Sequence, residues 1–149
     1  MSTDRPGRSA ATSDPRASVV PGASPGRASV IVVDGDRAEL DRIGRVLADA
    51  GHPVIATTNG RAALRRVFES STGPGLLICE IEMPEMSGIE LAARVSAARP
   101  GVRVLLMSSD PRSVERARDR DALVRGVLLK PFSADRLRVA VTDALDDPR

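Results

Sequence analysis

From Ser29 onward the chain alternates short, solid apolar runs with stretches whose apolar residues recur every three or four positions. Val30–Val33 is a β-branched run, as suits a strand covered on both faces. Leu40, Ile43 and Leu47 follow at helical spacing until Gly51, a natural C-cap. Val54–Thr57 reads as a second strand, and Asn59 is placed to cap a helix carrying Ala63, Leu64, Val67 and Phe68. The turn Gly73-Pro74-Gly75 breaks that helix, and Leu76–Glu80 is a third strand. A helix from about Gly88 to Ala98 stops at Pro100-Gly101, and Val102–Met107 makes a fourth strand. Asp110-Pro111 opens a fourth helix, with proline at its first position, that carries the charged stretch Arg112–Arg125. Val127–Lys130 is the fifth strand, and Ser133 caps a last helix with Leu137, Val141 and Leu145 inward.

Five strands alternating with five helices through short connections predict an α/β domain, a doubly wound five-stranded parallel sheet with helices on both faces. Residues 1–28 break the rhythm: they are rich in Ser, Ala, Pro, Gly and Arg, with hardly a large apolar side chain beyond Val19 and Val20. Such a segment buries too little surface to offset its ordering entropy. The expected organisation is a disordered tail over 1–28 and one folded domain over 29–149.

Composition narrows the function classes. Two Phe and no Tyr or Trp leave no aromatic platform for stacking nucleic-acid bases. The net charge of +2 lies wholly in residues 1–28, because the remainder holds 18 basic and 18 acidic residues. Direct DNA binding by the folded part is therefore not expected. The single cysteine, Cys79, excludes an internal disulfide and reads as core filler in the third strand, in keeping with a reducing compartment. No apolar run approaches the roughly 20 residues that span a bilayer. The N-terminus carries no secretory pattern, so a cytoplasmic protein without membrane contact is expected.

Of the 22 basic residues only one is lysine, Lys130, at the end of an apolar run and before Pro131. A lysine delivers a compact point charge on a thin stem where arginine would bring a wide fork. Folds of this class place their sites beyond the carboxyl ends of the strands. Those ends carry Asp34-Gly35-Asp36, then Glu80 and the loop through Gly88, then Ser108-Ser109, then Lys130. A carboxylate cluster, a hydroxyl and one ammonium suit an anionic group held between Ser108 and Lys130, with a hard cation beside it.

In this order and spacing the set resembles the receiver domain of bacterial response regulators, over about residues 29–146. The motifs that carry the likeness are the acidic turn after the first strand, Met83-Pro84-Glu85-Met86-Ser87-Gly88 after the third, Ser108 after the fourth and Lys130-Pro131-Phe132 after the fifth. The resemblance implies a flavodoxin-like sheet of order 2-1-3-4-5, counting the predicted strands from the N-terminus. It implies that the position of Glu80 is the one that accepts a phosphoryl group from a histidine kinase. Mg²⁺ would be held by acids at positions 34 and 35 with the acceptor, and phosphate by Ser108 and Lys130. A cis Lys130–Pro131 bond and an aromatic switch residue at the position of Val127 are implied as well.

Three departures fall on that chemistry. Glu80 stands where the family has Asp, lengthening the arm by one methylene, roughly 1.5 Å or less, towards Ser108 and Lys130. Gly35 replaces an acid, which leaves Asp34 and Glu80 as a weakened Mg²⁺ pair; Asp36 is expected to cap the following helix instead of substituting. Val127 cannot act as an aromatic switch. The expectation is an atypical, stand-alone receiver, not an enzyme, working independently of phosphorylation by protein–protein contact. With only four residues after Leu145, no output domain is expected.

Its partners would be a histidine kinase or a downstream effector, docking on the fourth helix, fifth strand and fifth helix. The charged helix 112–125 offers a mixed-charge face there. Two readings of Glu80 stand open: a pairing with Lys130 that fixes an active-like state, or a retired pocket on a scaffold. The alternative function is a working phosphorelay receiver that takes phosphate at Glu80 or a neighbouring acid. An unrelated small enzyme with a metal at Asp34 and Asp36 is the third reading.

Overall fold

In the computed structural model the residues described are 17–20, 26–71, 73–118 and 124–146. In chain order they form β1 (Ala17–Val20), β2 (Val30–Val33), α1 (Arg37–Asp49), β3 (Val54–Thr57), α2 (Gly60–Glu69) and β4 (Leu76–Glu80). They continue with α3 (Gly88–Ala98), β5 (Arg103–Ser108), α4 (Pro111–Arg118), β6 (Val124–Leu129) and α5 (Ala134–Asp146).

The sheet runs β1-β3-β2-β4-β5-β6. The ladders from β3 through β6 are all parallel, in the 2-1-3-4-5 order of the five predicted strands. Alternate strand residues feed two separate cores. Ile31, Val33, Leu77, Cys79 and Leu106 pack beneath α2, α3 and α4. Val30, Val32, Ile78, Met107 and Leu128 pack beneath α1 and α5. This is why the central strands read as unbroken apolar runs. The order reverses between β2 and β4, so a cleft opens at their carboxyl ends, the place such sheets use for ligands. No described helix is long and apolar enough to cross a membrane.

Three expectations need correction. Residues 1–28 are not wholly without order: Ala17–Val20 adds an antiparallel edge strand to β3, in register from Ala17↔Thr57 to Val20↔Val54. The reason is that a free sheet edge offers backbone bonds that cost no side-chain burial; Val19 stays 67% exposed. The other residues of the tail, 1–16 and 21–25, lie outside the described residues, whereas 26–28 lead into β2. The fourth helix is described as far as Arg118 and does not reach Arg125, because Val124 already pairs with Val104 in the sheet; 119–123 lie outside the described residues. A register shift there leaves Arg125 as the extra residue before Gly126 pairs with Leu105. Phe68, read with the inward face of its helix, is 62% exposed, because Ala62, Ala63 and Val67 form the buried stripe of α2.

Candidate functional site

Asp34 follows β2 and is completely buried. Its Oδ1 accepts the Asp36 N–H at 2.8 Å, and its Oδ2 takes the Lys130 ammonium at 2.6 Å. Asp36 is exposed and turned to its helix, accepting the Ala38 N–H at 2.9 Å as the cap of α1. Glu80, the last residue of β4, also reaches Lys130, with Oε1 at 2.6 Å from Nζ. The pocket therefore gathers two carboxylates on one ammonium, with side chains 0%, 20% and 15% exposed for Asp34, Glu80 and Lys130.

The charge balance of this trio shows in its proton affinities. Burial, and then the neighbouring Asp34, push the Glu80 carboxyl above its ordinary 4.5 against the pull of Lys130. For Lys130, burial works against the charge, but the bonds to Asp34 and Glu80 outweigh it and lift its pKa above 10.5. Two negative groups share one positive one, so both Glu80 and Lys130 hold their protons more tightly.

Ser108 ends β5 and is buried. Its hydroxyl is not engaged with Glu80, the neighbour that the longer arm at position 80 was expected to approach; it donates to Glu82, at 2.8 Å from Oε1 and 3.0 Å from Oε2. Glu82 is the site residue that sequence reasoning missed. The available signal was its spacing: two positions beyond Glu80, where an extended chain returns to the same side. Ser108 also ties to the lysine through its backbone, accepting the Lys130 N–H at 2.8 Å. Lys130–Pro131 is cis, as the resemblance implied. After it, the Phe132 ring lies 5.0 Å from the guanidinium carbon of Arg42, which Glu39 steadies by two bonds.

Val127 is buried in the core beside Leu106 and Val114, so the switch position is a packing residue. Cys79 is fully buried, and burial, with Glu80 adding to it, pushes its thiol up to about 12. His52, in the loop before β3, is buried with Nδ1 2.9 Å from the Ala28 carbonyl. Met86 is buried and Met83 half-buried under their loop.

The resemblance implies Mg²⁺ at this acidic corner. Here the donors do not fit a tightly held ion. Both expected ligands, Asp34 and Glu80, are turned onto Lys130, Gly35 offers no side chain, and Asp36 is occupied as a cap. Among the described residues no group of three or more acids, histidines or cysteines converges as a cation site. Mg²⁺ demands close octahedral geometry from oxygen ligands, which this trio does not present.

Residues 30–142 match the response regulator receiver domain family. The transcriptional regulatory protein ZraR of Klebsiella oxytoca is 32% identical over 123 residues, covering 80% of this chain and 27% of that protein. The DNA-binding transcriptional regulator NtrC of Azospirillum brasilense is 31% identical over 120 residues, covering 80% of this chain and 24% of its own length. The chain thus spans about a quarter of these relatives. Among solved structures, the signal receiver domain of NarL from Mycobacterium tuberculosis superposes with a TM-score of 0.70 at 27% identity, over 83% of this chain and 100% of that one. The sheet order and a match across most of the described chain agree: this protein belongs to the response regulator receiver domain family.

Proposed function

We propose that this receiver signals by protein–protein contact in a two-component-type pathway, in a state set by its own side chains and not by phosphorylation. One observation carries the reading: Glu80 occupies the acceptor position and is bonded to Lys130 at 2.6 Å. The ammonium that would meet a phosphoryl oxygen is thereby spent on the chain's own carboxylates. Glutamate brings a charge of about −1 where a phosphoryl group brings about −1.5 to −2, so the substitution imitates phosphate in part. The donor set at Asp34, Gly35 and Asp36 supports the same conclusion, because it is poor for Mg²⁺.

The chain is read as a cytoplasmic binding module with no turnover of its own. Receiver domains act through histidine kinases and effectors. The face proposed for such a partner here is α4, β6 and α5, where Arg112, Glu115, Arg116 and Arg118 are exposed in mixed sign. Val139 on α5 and Leu129 at the end of β6 are also exposed, at 52% and 45%. No DNA contact is assigned to these residues.

The test is intact-mass spectrometry after incubation with acetyl phosphate and Mg²⁺, with Glu80→Asp run alongside. The expected result is no adduct on the parent chain. An adduct on the parent would overturn the reading in favour of a working phosphorelay receiver. An adduct on Glu80→Asp alone would place the silencing on Glu80.

A further inference from the structure

Three strand ends of this sheet carry the same small device. Asp34, Thr57 and Ser108 each accept, on a side-chain oxygen, the backbone N–H two residues on: Asp36 at 2.8 Å, Asn59 at 3.1 Å and Asp110 at 2.9 Å. Each of those three residues then caps the next helix, accepting from Ala38, Ala62 and Arg112. A strand-end side chain thus fixes where α1, α2 and α4 begin. At Thr57 no charged side chain joins the chain of bonds among those described. At the other two ends one does: Lys130 holds Asp34, and Glu82 holds Ser108.

We propose that Glu82 is a positioning residue, which orients the Ser108 hydroxyl and through it sets the start of α4. A hydroxyl has one proton to give, and giving it to Glu82 leaves the lone pairs of Ser108 aimed at the Asp110 N–H. The bond to a carboxylate is charge-assisted, the stronger kind. Besides Glu82 the hydroxyl has the Asp110 carbonyl at 3.5 Å, too long for a good bond. The hydroxyl would then turn, and the contact that holds Asp110 in its capping position would loosen. Because Lys130 donates its backbone N–H to Ser108, the Glu80 and Glu82 clamps meet on one residue. The loop after β4 therefore communicates with α4 by a continuous path of bonds: Glu82, Ser108, Asp110, Arg112.

The inference rests on the proposed function only in taking α4 as part of the partner face; the positioning itself stands apart from it. Glu82 is exposed, so its replacement leaves the core untouched. The experiment is amide hydrogen exchange on the full chain for Glu82→Ala, Glu82→Gln, Ser108→Ala and the double variant Glu82→Ala/Ser108→Ala. Glu82→Ala should speed exchange of the Asp110 and Arg112 amides about fivefold, with α2 amides unchanged. Glu82→Gln keeps an acceptor and should stay near the parent. In the Ser108→Ala background the loss of Glu82 should add nothing. Unchanged exchange in Glu82→Ala, or an undiminished effect in the Ser108→Ala background, would overturn the proposal. Phosphoryl uptake is read separately by mass, so failure of the functional reading leaves this result interpretable.

Discussion

Gly88 lies against the backbone of Glu80: a Cβ built on it would stand 2.2 Å from the Glu80 carbonyl oxygen and 2.9 Å from its carbon. Its N–H also donates to the Ile81 carbonyl at 2.9 Å. The loop that carries Glu82 is thus closed by the first residue of α3 pressing on the end of β4. Since the obstacle is backbone, no rotamer change relieves it. Gly88→Ala should cost about 2–3 kcal/mol by forcing loop and strand apart, read as a shift in urea midpoint. A midpoint equal to the parent's would mean that the loop yields freely.

Lys130→Met should be more damaging than the loss of a surface ion pair. Asp34 is completely buried, and its Oδ2 loses the ammonium at 2.6 Å. Removing one partner of a buried pair costs about 3 kcal/mol or more, since the remaining charge stays unsolvated. Lys130→Arg should fail to rescue it, because a planar fork does not fit a corner shaped for one nitrogen. Denaturation at neutral pH measures both, and a Lys130→Met variant as stable as the parent would show that Asp34 does not depend on the lysine.

The pH response of Glu80 has a defined sign. Its carboxyl is held above 4.5 by burial first and then by Asp34, so the folded state binds that proton more tightly than the unfolded chain. The stability this group contributes is fully present below its unfolded value and is lost as pH rises through the raised one. Glu80→Gln cannot ionise and lacks that slope. The Tm difference should therefore move in favour of Glu80→Gln as pH rises above 4.5. Lys130 is separable: its pKa is also raised, so its contribution holds below 10.5 and is lost as pH climbs through the folded value. A Tm difference that stays flat from about pH 4 to 8 would mean that Glu80 titrates as in the unfolded chain.

How far the sequence reached follows from the kind of contact involved. The apolar runs at Val30–Val33 and Leu76–Cys79 could belong only to strands with cover on both faces, and the caps at Asp36, Asn59 and Ser133 are bonds to near neighbours in sequence. The strand-end rule brought Asp34, Glu80 and Lys130 together, although Lys130 lies 96 residues from Asp34. Glu82 escaped because an exposed loop acid reads as solvated, and its partner Ser108 is 26 residues away. Phe68 escaped because helical spacing marks a direction but not the width of the buried stripe. In α2 that stripe is filled by small side chains such as Ala62 and Ala63.

The edge strand β1 escaped for a different reason, and that reason makes a prediction. Its four residues pair with β3 through backbone bonds, and the side chains of Ser18 and Val19 are exposed. A pattern of side chains could not reveal a contact that side chains hardly make. Deleting residues 1–20 should therefore lower stability by no more than about 1 kcal/mol, provided 26–29 remain to lead into β2 and to hold His52 through the Ala28 carbonyl at 2.9 Å. The same deletion uncovers the edge of β3, whose Val54 and Ala56 are buried and whose outward N–H and C=O groups lose their partners. Uncovered edges pair with one another, so the shortened chain should self-associate at concentrations where the parent does not. Light scattering across a concentration series reads this directly. A shortened chain that stays monomeric and loses several kcal/mol would instead make β1 a structural strand of the domain, not a cover for its edge.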